Sequence, residues 1–354
     1  MSCLALLMPV FSYFADTLEN GLRPRSYSKI LILCTVVFIL SFFVSWSFGG
    51  AALYPWQLIG LDADDMTSHI LLSIRLPRIV CACIVGAALS CAGLLTQGLF
   101  RNPLASPSVI GISSGGSLGA IIAFFFGLHT SGLWTLPIFA FVGCVLTTIL
   151  ILALARSVNF SAVEDLLLVG FAINSILSAI STFLLSLSLK EFDKAPAMMN
   201  WLMGTLSGKT WDHVLIGVFP IGLALLASVR ISYQLNVLSL GSEVAHTLGL
   251  KLRRLRIQSI IVISTLVATA VSIGGILPFL GLVVPHLSRL MVGPDHKKLL
   301  VISAINGMSL LLIADLAART MIAPSEIQVG ILISLFGSPF FLWMLYKRRR
   351  GIAV

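Results

Sequence analysis

The sequence predicts an all-α, polytopic membrane protein of about ten transmembrane helices, and three observations lead there. Of 354 residues, 58% are apolar and only 10% are Asp, Glu, Lys or Arg, against roughly 25% charged in a soluble domain. Mean hydropathy is +1.03, so the chain lacks the polar side chains that a water-facing surface needs. Apolar runs long enough to cross about 30 Å of hydrocarbon recur throughout. These features exclude a soluble enzyme, a disordered chain, a coiled coil and a secreted disulfide scaffold.

In chain order, the runs place spans at Ile30–Phe48, Ile79–Leu99, Ile110–Leu128, Leu133–Ala155 and Leu166–Leu189. The second half adds Val214–Val229, Ile257–Ile276, Phe279–Val292, Leu299–Ala318 and Ile327–Tyr346. The eighth is short, and Pro285 within it is expected to kink or break it. Residues 1–29 read as an interfacial leader, because no basic residue precedes the apolar Cys3–Ala15 and no small-residue cleavage site follows. A single membrane domain over 30–346 and a basic tail at 347–354 complete the organisation.

Ten spans put both ends on one side. Of the 23 Lys and Arg residues, 17 then fall on that side, which the positive-inside rule makes cytoplasmic. Asp62, Asp64, Asp65, Glu191 and Asp193 fall outside. The net charge of +9 therefore records topology, not a nucleic-acid partner. None of the six cysteines forms a C-x-x-C pair, so neither a disulfide framework nor a zinc site is indicated.

Small residues line the spans: Gly111, Gly115 and Gly119 on the third, and Gly86, Ser90 and Gly93 on the second. They let helix backbones approach closely where lipid removes the hydrophobic drive for association. Asp315 stands four residues before Arg319, the spacing of a local ion pair. With so few carboxylates in the spans, a proton- or sodium-driven carrier is poorly supported.

Two motifs tempt and fail. Gly111–Gly115 matches G-x-S-x-G around Ser113, but it opens a membrane helix instead of a strand-to-helix elbow. Gly204–Thr210 resembles a phosphate-binding loop, yet only three residues separate its glycines and it falls outside. His286 has no neighbouring His, Cys or Glu to complete a coordination sphere.

Three connecting segments carry the functional reading. Gln97–Pro107, on the inner side, has two prolines and Asn102 that stop the helix and stiffen a loop. The largest inner loop, Ile231–Arg256, contains Leu240–Gly249, where two glycines bracket about two helical turns. Val244, Ala245 and Leu248 share one apolar face, with Glu243 and His246 elsewhere. Such a bounded amphipathic helix suits a partner's groove. Arg75 and Arg78 outside, with Arg319 at another outer helix end, either snorkel or form a basic rim for a carboxylate-bearing partner.

At this point the ordered set of motifs resembles the FecCD-type permeases of ABC importers for iron chelates, siderophores, haem and cobalamin. It comprises R-L-P-R at Arg75–Arg78, G-A-A-L-S-C-A-G at Gly86–Gly93 and R-N-P-L-A-S-P-S-V-I-G at Arg101–Gly111. There follow L-G-S-E-V-A-H-T-L-G at Leu240–Gly249, G-L-V-V-P-H-L-S-R at Gly281–Arg289 and A-D-L-A-A-R at Ala314–Arg319. V-G-I-L-I-S-L-F-G-S-P-F-F at Val329–Phe341 closes the series.

The resemblance implies a type II ABC importer permease fold. Its ten-helix subunit dimerises around a central pathway, with identical copies expected. It binds no cofactor itself; ATP and magnesium sit on two separate cytoplasmic ATPase subunits, and a substrate-binding protein docks outside. It also implies that Leu240, Gly241, Glu243, Val244, Ala245, Leu248 and Gly249 form the ATPase-coupling helix. Asn102 and Leu104 would lie at a cytoplasmic gate beside Ser161–Asp165, and Arg75, Arg78 and Arg319 would receive the binding protein. Two departures stand out: Gln328 where relatives commonly have proline, and Pro278 in a stretch usually rich in Gly and Ile.

The expected function is thus a non-catalytic permease subunit of the bacterial inner membrane. It takes up an iron chelate, a ferric siderophore foremost, with haem or cobalamin as alternatives. The rivals from other classes are an ion-coupled secondary transporter and an intramembrane enzyme using Ser113. Ala245→Glu is expected to abolish ATPase association while sparing the membrane fold.

Overall fold

The computed structural model describes residues 26–49, 66–157, 163–190 and 193–349. The leader through residue 25, the acidic outer positions Asp62, Asp64, Asp65 and Glu191, and residues 350–354 lie outside the described residues. Within them the chain is helical, without a strand. The helices are α1 (Tyr27–Ser47), α2 (Met66–Leu99), α3 (Ile112–Phe125), α4 (Thr135–Ser157), α5 (Val163–Ser188) and α6 (Lys194–Leu202). Then come α7 (Trp211–Leu238), α8 (Ser242–Thr247), α9 (Leu252–Gly274), α10 (Leu280–Val292), α11 (His296–Thr320) and α12 (Val329–Arg349).

Among the described residues, seven helices are long and apolar enough to cross a membrane. Three shorter apolar helices accompany them: α3, α10 and the Val329–Met344 part of α12. Each of the ten expected spans therefore coincides with an apolar helix. The short α6 and α8 sit in the connections between them.

α2 and α9 form the centre of the bundle: 83% and 78% of their apolar windows are buried, against 17% for α5. α2 packs on α7, α9, α10 and α11, while α1 lies outside against α11. Small residues explain that central place. A Cβ on Gly93 would stand 1.8 Å from the Gly281 carbonyl oxygen of α10, so only the absence of a side chain lets the two backbones meet. Backbone cannot swing aside, and Gly93→Ala is expected to separate α2 from α10 and collapse the yield of monodisperse protein. Gly222→Ala, on α7 with nothing within 4 Å of the added carbon, should leave the size-exclusion profile unchanged. A normal profile for Gly93→Ala would refute the close-contact argument.

Two boundaries differ markedly from expectation. α2 starts at Met66 rather than Ile79, so Arg75 and Arg78 lie within a helix. Its residues Ile70–Arg75 form a π-helical turn in which the Leu76 N–H donates to the Leu71 carbonyl. That wider turn makes room just before Pro77, whose ring and missing donor would disrupt an α-helical ladder. α7 continues through Pro220 to Leu238, shortening the expected Ile231–Arg256 loop to residues 239–251. α10 runs unbroken over Leu280–Val292 with the buried Pro285 inside it.

The phosphate-loop look-alike is a helix cap. Gly204 and Gly208 take left-handed φ values of 71° and 70°, and Thr210 closes a capping box with His213 at the start of α7.

Candidate functional site

Two regions hold the residues singled out from sequence. They lie at the two ends of the bundle.

At one end, α8 is bounded as its glycines require. Gly241 has φ 119° and Gly249 φ 83°, conformations that cost other residues strain. The Leu250 N–H donates to the Ala245 carbonyl at 2.9 Å and the Gly249 N–H to the His246 carbonyl at 2.9 Å. These two bonds close α8 with a Schellman motif. The expected apolar face divides in two. Ala245 is fully buried, whereas Leu240, Val244 and Leu248 are 63%, 45% and 64% exposed. Of the exposed three, Val244 lies within α8, Leu240 precedes its Gly241 cap and Leu248 is its C-cap residue. Glu243 and His246 are exposed beside them. A Glu at position 245 would therefore strike the chain's own core, so Ala245→Glu cannot spare the fold as expected.

The turn after α2 borders the same end. Arg101 adopts φ 48°, the Asn102 N–H donates to the Gln97 carbonyl at 3.1 Å, and Asn102 Oδ1 accepts from the Leu104 N–H at 3.0 Å. Asn102 is exposed and Leu104 half-buried. Both line a cavity of about 420 Å³ together with Gln97, His286, Arg289 and His296. Of the Ser161–Asp165 segment expected beside them, Ser161 and Ala162 lie outside the described residues.

The opposite end holds a buried cluster of charge. Arg78 Nη2 lies 2.9 Å and Arg319 Nε 3.1 Å from the Asp315 carboxylate, which is wholly buried. Arg78 Nη1 also meets Glu326 at 3.0 Å. Arg319 Nη2 donates to the Ser45 hydroxyl at 2.7 Å and the Ser45 carbonyl at 3.1 Å. Arg75 Nη1 donates to the carbonyls of Trp46 and Ser47, each at 3.1 Å. Those carbonyls terminate α1, where the helix dipole places partial negative charge. The expected Asp315–Arg319 pair is present; Arg78 and Glu326 join it from distant segments.

This geometry turns all three arginines of the expected basic rim inward. Arg75, Arg78 and Arg319 are only 6%, 8% and 6% exposed, because each guanidinium turns inward onto a carboxylate or a helix end. Ser113, for its part, lies within the first turn of α3 and its carbonyl accepts from the Ser117 hydroxyl at 3.0 Å. The neighbouring Ser114 hydroxyl bonds Asn174 of α5.

Beside the charge cluster, Leu202, Met203, Ile276, Pro278, Gly330, Ile331 and Leu335 line an open apolar groove of about 590 Å³ between α6, α9 and α12. Both sequence departures fall here: Pro278 lines the groove, and Gln328 Nε2 donates to Asn200 Oδ1 at 2.8 Å, tying α12 to α6. Among the described residues, no group of three or more His, Cys, Asp or Glu could hold a metal ion.

Comparison with known proteins matches this architecture. A hemin transport system permease from Yersinia pestis is 37% identical over 334 residues, covering 93% of this chain and 98% of the relative. A cobalamin import permease from Halobacterium salinarum is 42% identical over 279 residues, covering 78% of this chain and 73% of the relative. A solved structure described as a metal-chelate type ABC transporter in an inward-facing conformation superposes with a TM-score of 0.81 at 33% identity, covering 90% of this chain and 99% of that one. The sequence model of the FecCD transport family matches residues 34–347. With nearly the whole membrane domain matched, the chain belongs to the FecCD transport family.

Proposed function

We propose that this chain is the passive, membrane-embedded permease subunit of an ATP-driven importer for a metal chelate. An iron chelate is the leading cargo, with a ferric siderophore the first to test and haem and cobalamin next. The carrying observation is α8: a short, bounded helix that with its flanking residues exposes Leu240, Val244 and Leu248 while Ala245 anchors it to the bundle. Apolar side chains presented on and beside a fixed helix suit insertion into a groove on a second protein. The exposed Lys251, Arg253 and Arg254 beside it belong to the basic majority that puts this end, and both termini, in the cytoplasm.

On this reading a separate ATPase seats α8 and moves the helices that hold it. Because α8 rests on α7 and α9, and α9 packs on α2, a push there reaches the centre of the bundle. Alternating access then draws its free energy from nucleotide bound elsewhere. The apolar groove between α6, α9 and α12 is half of a pathway, completed by a second permease copy. Exposed Phe171, Ile176, Phe183, Leu335 and Phe336 supply faces for lipid or that copy.

Reconstitution tests the reading. Proteoliposomes holding this chain, its ATPase and its external binding protein should accumulate radiolabelled ferric siderophore only with ATP. Accumulation by this chain alone under a proton or sodium gradient would establish the secondary-carrier alternative instead.

A further inference from the structure

The cavity beside the Asn102 turn contains a set of buried polar atoms that transport coupling does not explain. Gln97, His286 and His296 are 2%, 6% and 3% exposed and line it. Gln97 Oε1, both ring nitrogens of His286, Nε2 of His296 and Nε of Arg289 have no hydrogen-bond partner. Burying so many unsatisfied groups in one place is costly unless a ligand engages them.

Their donor and acceptor roles follow from their neighbours. Asn236 Nδ2 donates to Asp295 Oδ1 at 2.8 Å, which fixes its amide and leaves Oδ1 as an acceptor. That Oδ1 lies 2.9 Å from His296 Nδ1, so the His296 proton sits on Nδ1 and Nε2 presents a lone pair. Although burial pushes the other way, the hydrogen bonds from Asn236 and the Lys297 N–H, with the nearby Lys298 and Lys297 charges, hold the Asp295 carboxyl below its usual range. This anchor therefore stays ionised. Gln97 Nε2 donates to the Leu282 carbonyl at 3.2 Å, leaving Oε1 to accept. The cavity thus offers two fixed acceptors, an Arg289 donor and His286, which can do either.

Charge selects the ligand. Arg289 and the exposed Arg101 line the cavity, and among the described residues no carboxylate does. The Arg289 charge bears on both imidazoles, while the Asp295 carboxylate acts in the opposite sense on His296 alone; the balance opposes a metal cation. An anion fits, and one that carries a proton can also donate a hydrogen bond to His296 Nε2 or to Gln97 Oε1. Carboxylate and sulfate carry no proton at neutral pH; hydrogen phosphate keeps one, and a phosphomonoester, with a second pKa of about 6, keeps one in part. We propose that this cavity binds a phosphate group bearing a hydroxyl, clamped by Arg289 and read by His286, His296 and Gln97. The group comes either from solution or from the headgroup of a lipid such as phosphatidic acid.

The test uses the purified full chain without ATPase, so its outcome leaves the transport reading untouched. Inorganic phosphate is titrated by calorimetry in phosphate-free detergent buffer, with sulfate as comparison. In parallel, nanodiscs with and without phosphatidic acid are compared by thermal melting. Saturable binding in either arm supports the site, and the responding arm identifies the source. Phosphate should bind at least about tenfold more tightly than sulfate, and Arg289→Gln should weaken binding about tenfold. Arg101→Gln, on an exposed side chain that folding does not need, should weaken it several-fold and decides the matter if Arg289→Gln does not fold. No response to phosphate or phosphatidic acid, equal binding of sulfate, or wild-type affinity in both variants overturns the proposal.

Discussion

Asp315→Asn is expected to cost about 3–5 kcal/mol of stability, the penalty for removing one partner of a buried ion pair. The Asp315 carboxylate is wholly buried and faces Arg78 and Arg319 at 2.9 and 3.1 Å. Asparagine has nearly the same shape but no charge. Two guanidinium groups would then share a site that excludes water, and neither could reach solvent without unpacking α2 from α11. Glu326→Gln provides the contrast. Its side chain is 40% exposed where it meets Arg78, so solvent screens the pair and its loss should cost no more than about 1 kcal/mol. Thermal melting of the three proteins in one detergent compares them directly. Equal melting temperatures for Asp315→Asn and the parent would show that the cluster is not needed to hold these helices.

That cluster also shows what sequence can and cannot reveal. The Asp315–Arg319 pair was legible because helical spacing is local. Arg78 was not, since it lies 237 positions from Asp315 and periodicity carries no information over that range. A usable signal did exist: a carboxylate deep in an apolar span needs full compensation, and R-L-P-R offers two cations on the same outer side. Spans were legible because bilayer thickness imposes a minimum apolar length, whereas their ends were not. Arg75 and Arg78 suggested a loop only because their partners were unseen; once paired, they sit inside α2 at little cost. α6 was missed because nine residues outside the apolar runs leave too short a periodic pattern.

α8 was found through its bounding glycines, but its orientation was misjudged, and the correction yields the sharpest functional test. Leu248→Glu is expected to abolish association with the ATPase while leaving the permease folded. Leu248 is 64% exposed, and with Leu240 and Val244 it makes up the large apolar side chains that α8 and its two ends present to a partner. Withdrawing a buried leucine from a groove forfeits about 1.5–3 kcal/mol, and forcing an unpaired carboxylate into its place adds a desolvation cost. Together these weaken binding by about a hundredfold or more. Ala245→Glu should fail differently: with no exposure at all, it disturbs the seating of α8 on α7 and α9, and the permease itself should melt at lower temperature. Melting temperature and ATPase co-purification, measured on both variants, separate the two faces of the helix. Should Leu248→Glu retain the ATPase at parental affinity, α8 would not be its seat, and the inward push that drives transport would have to enter the bundle elsewhere.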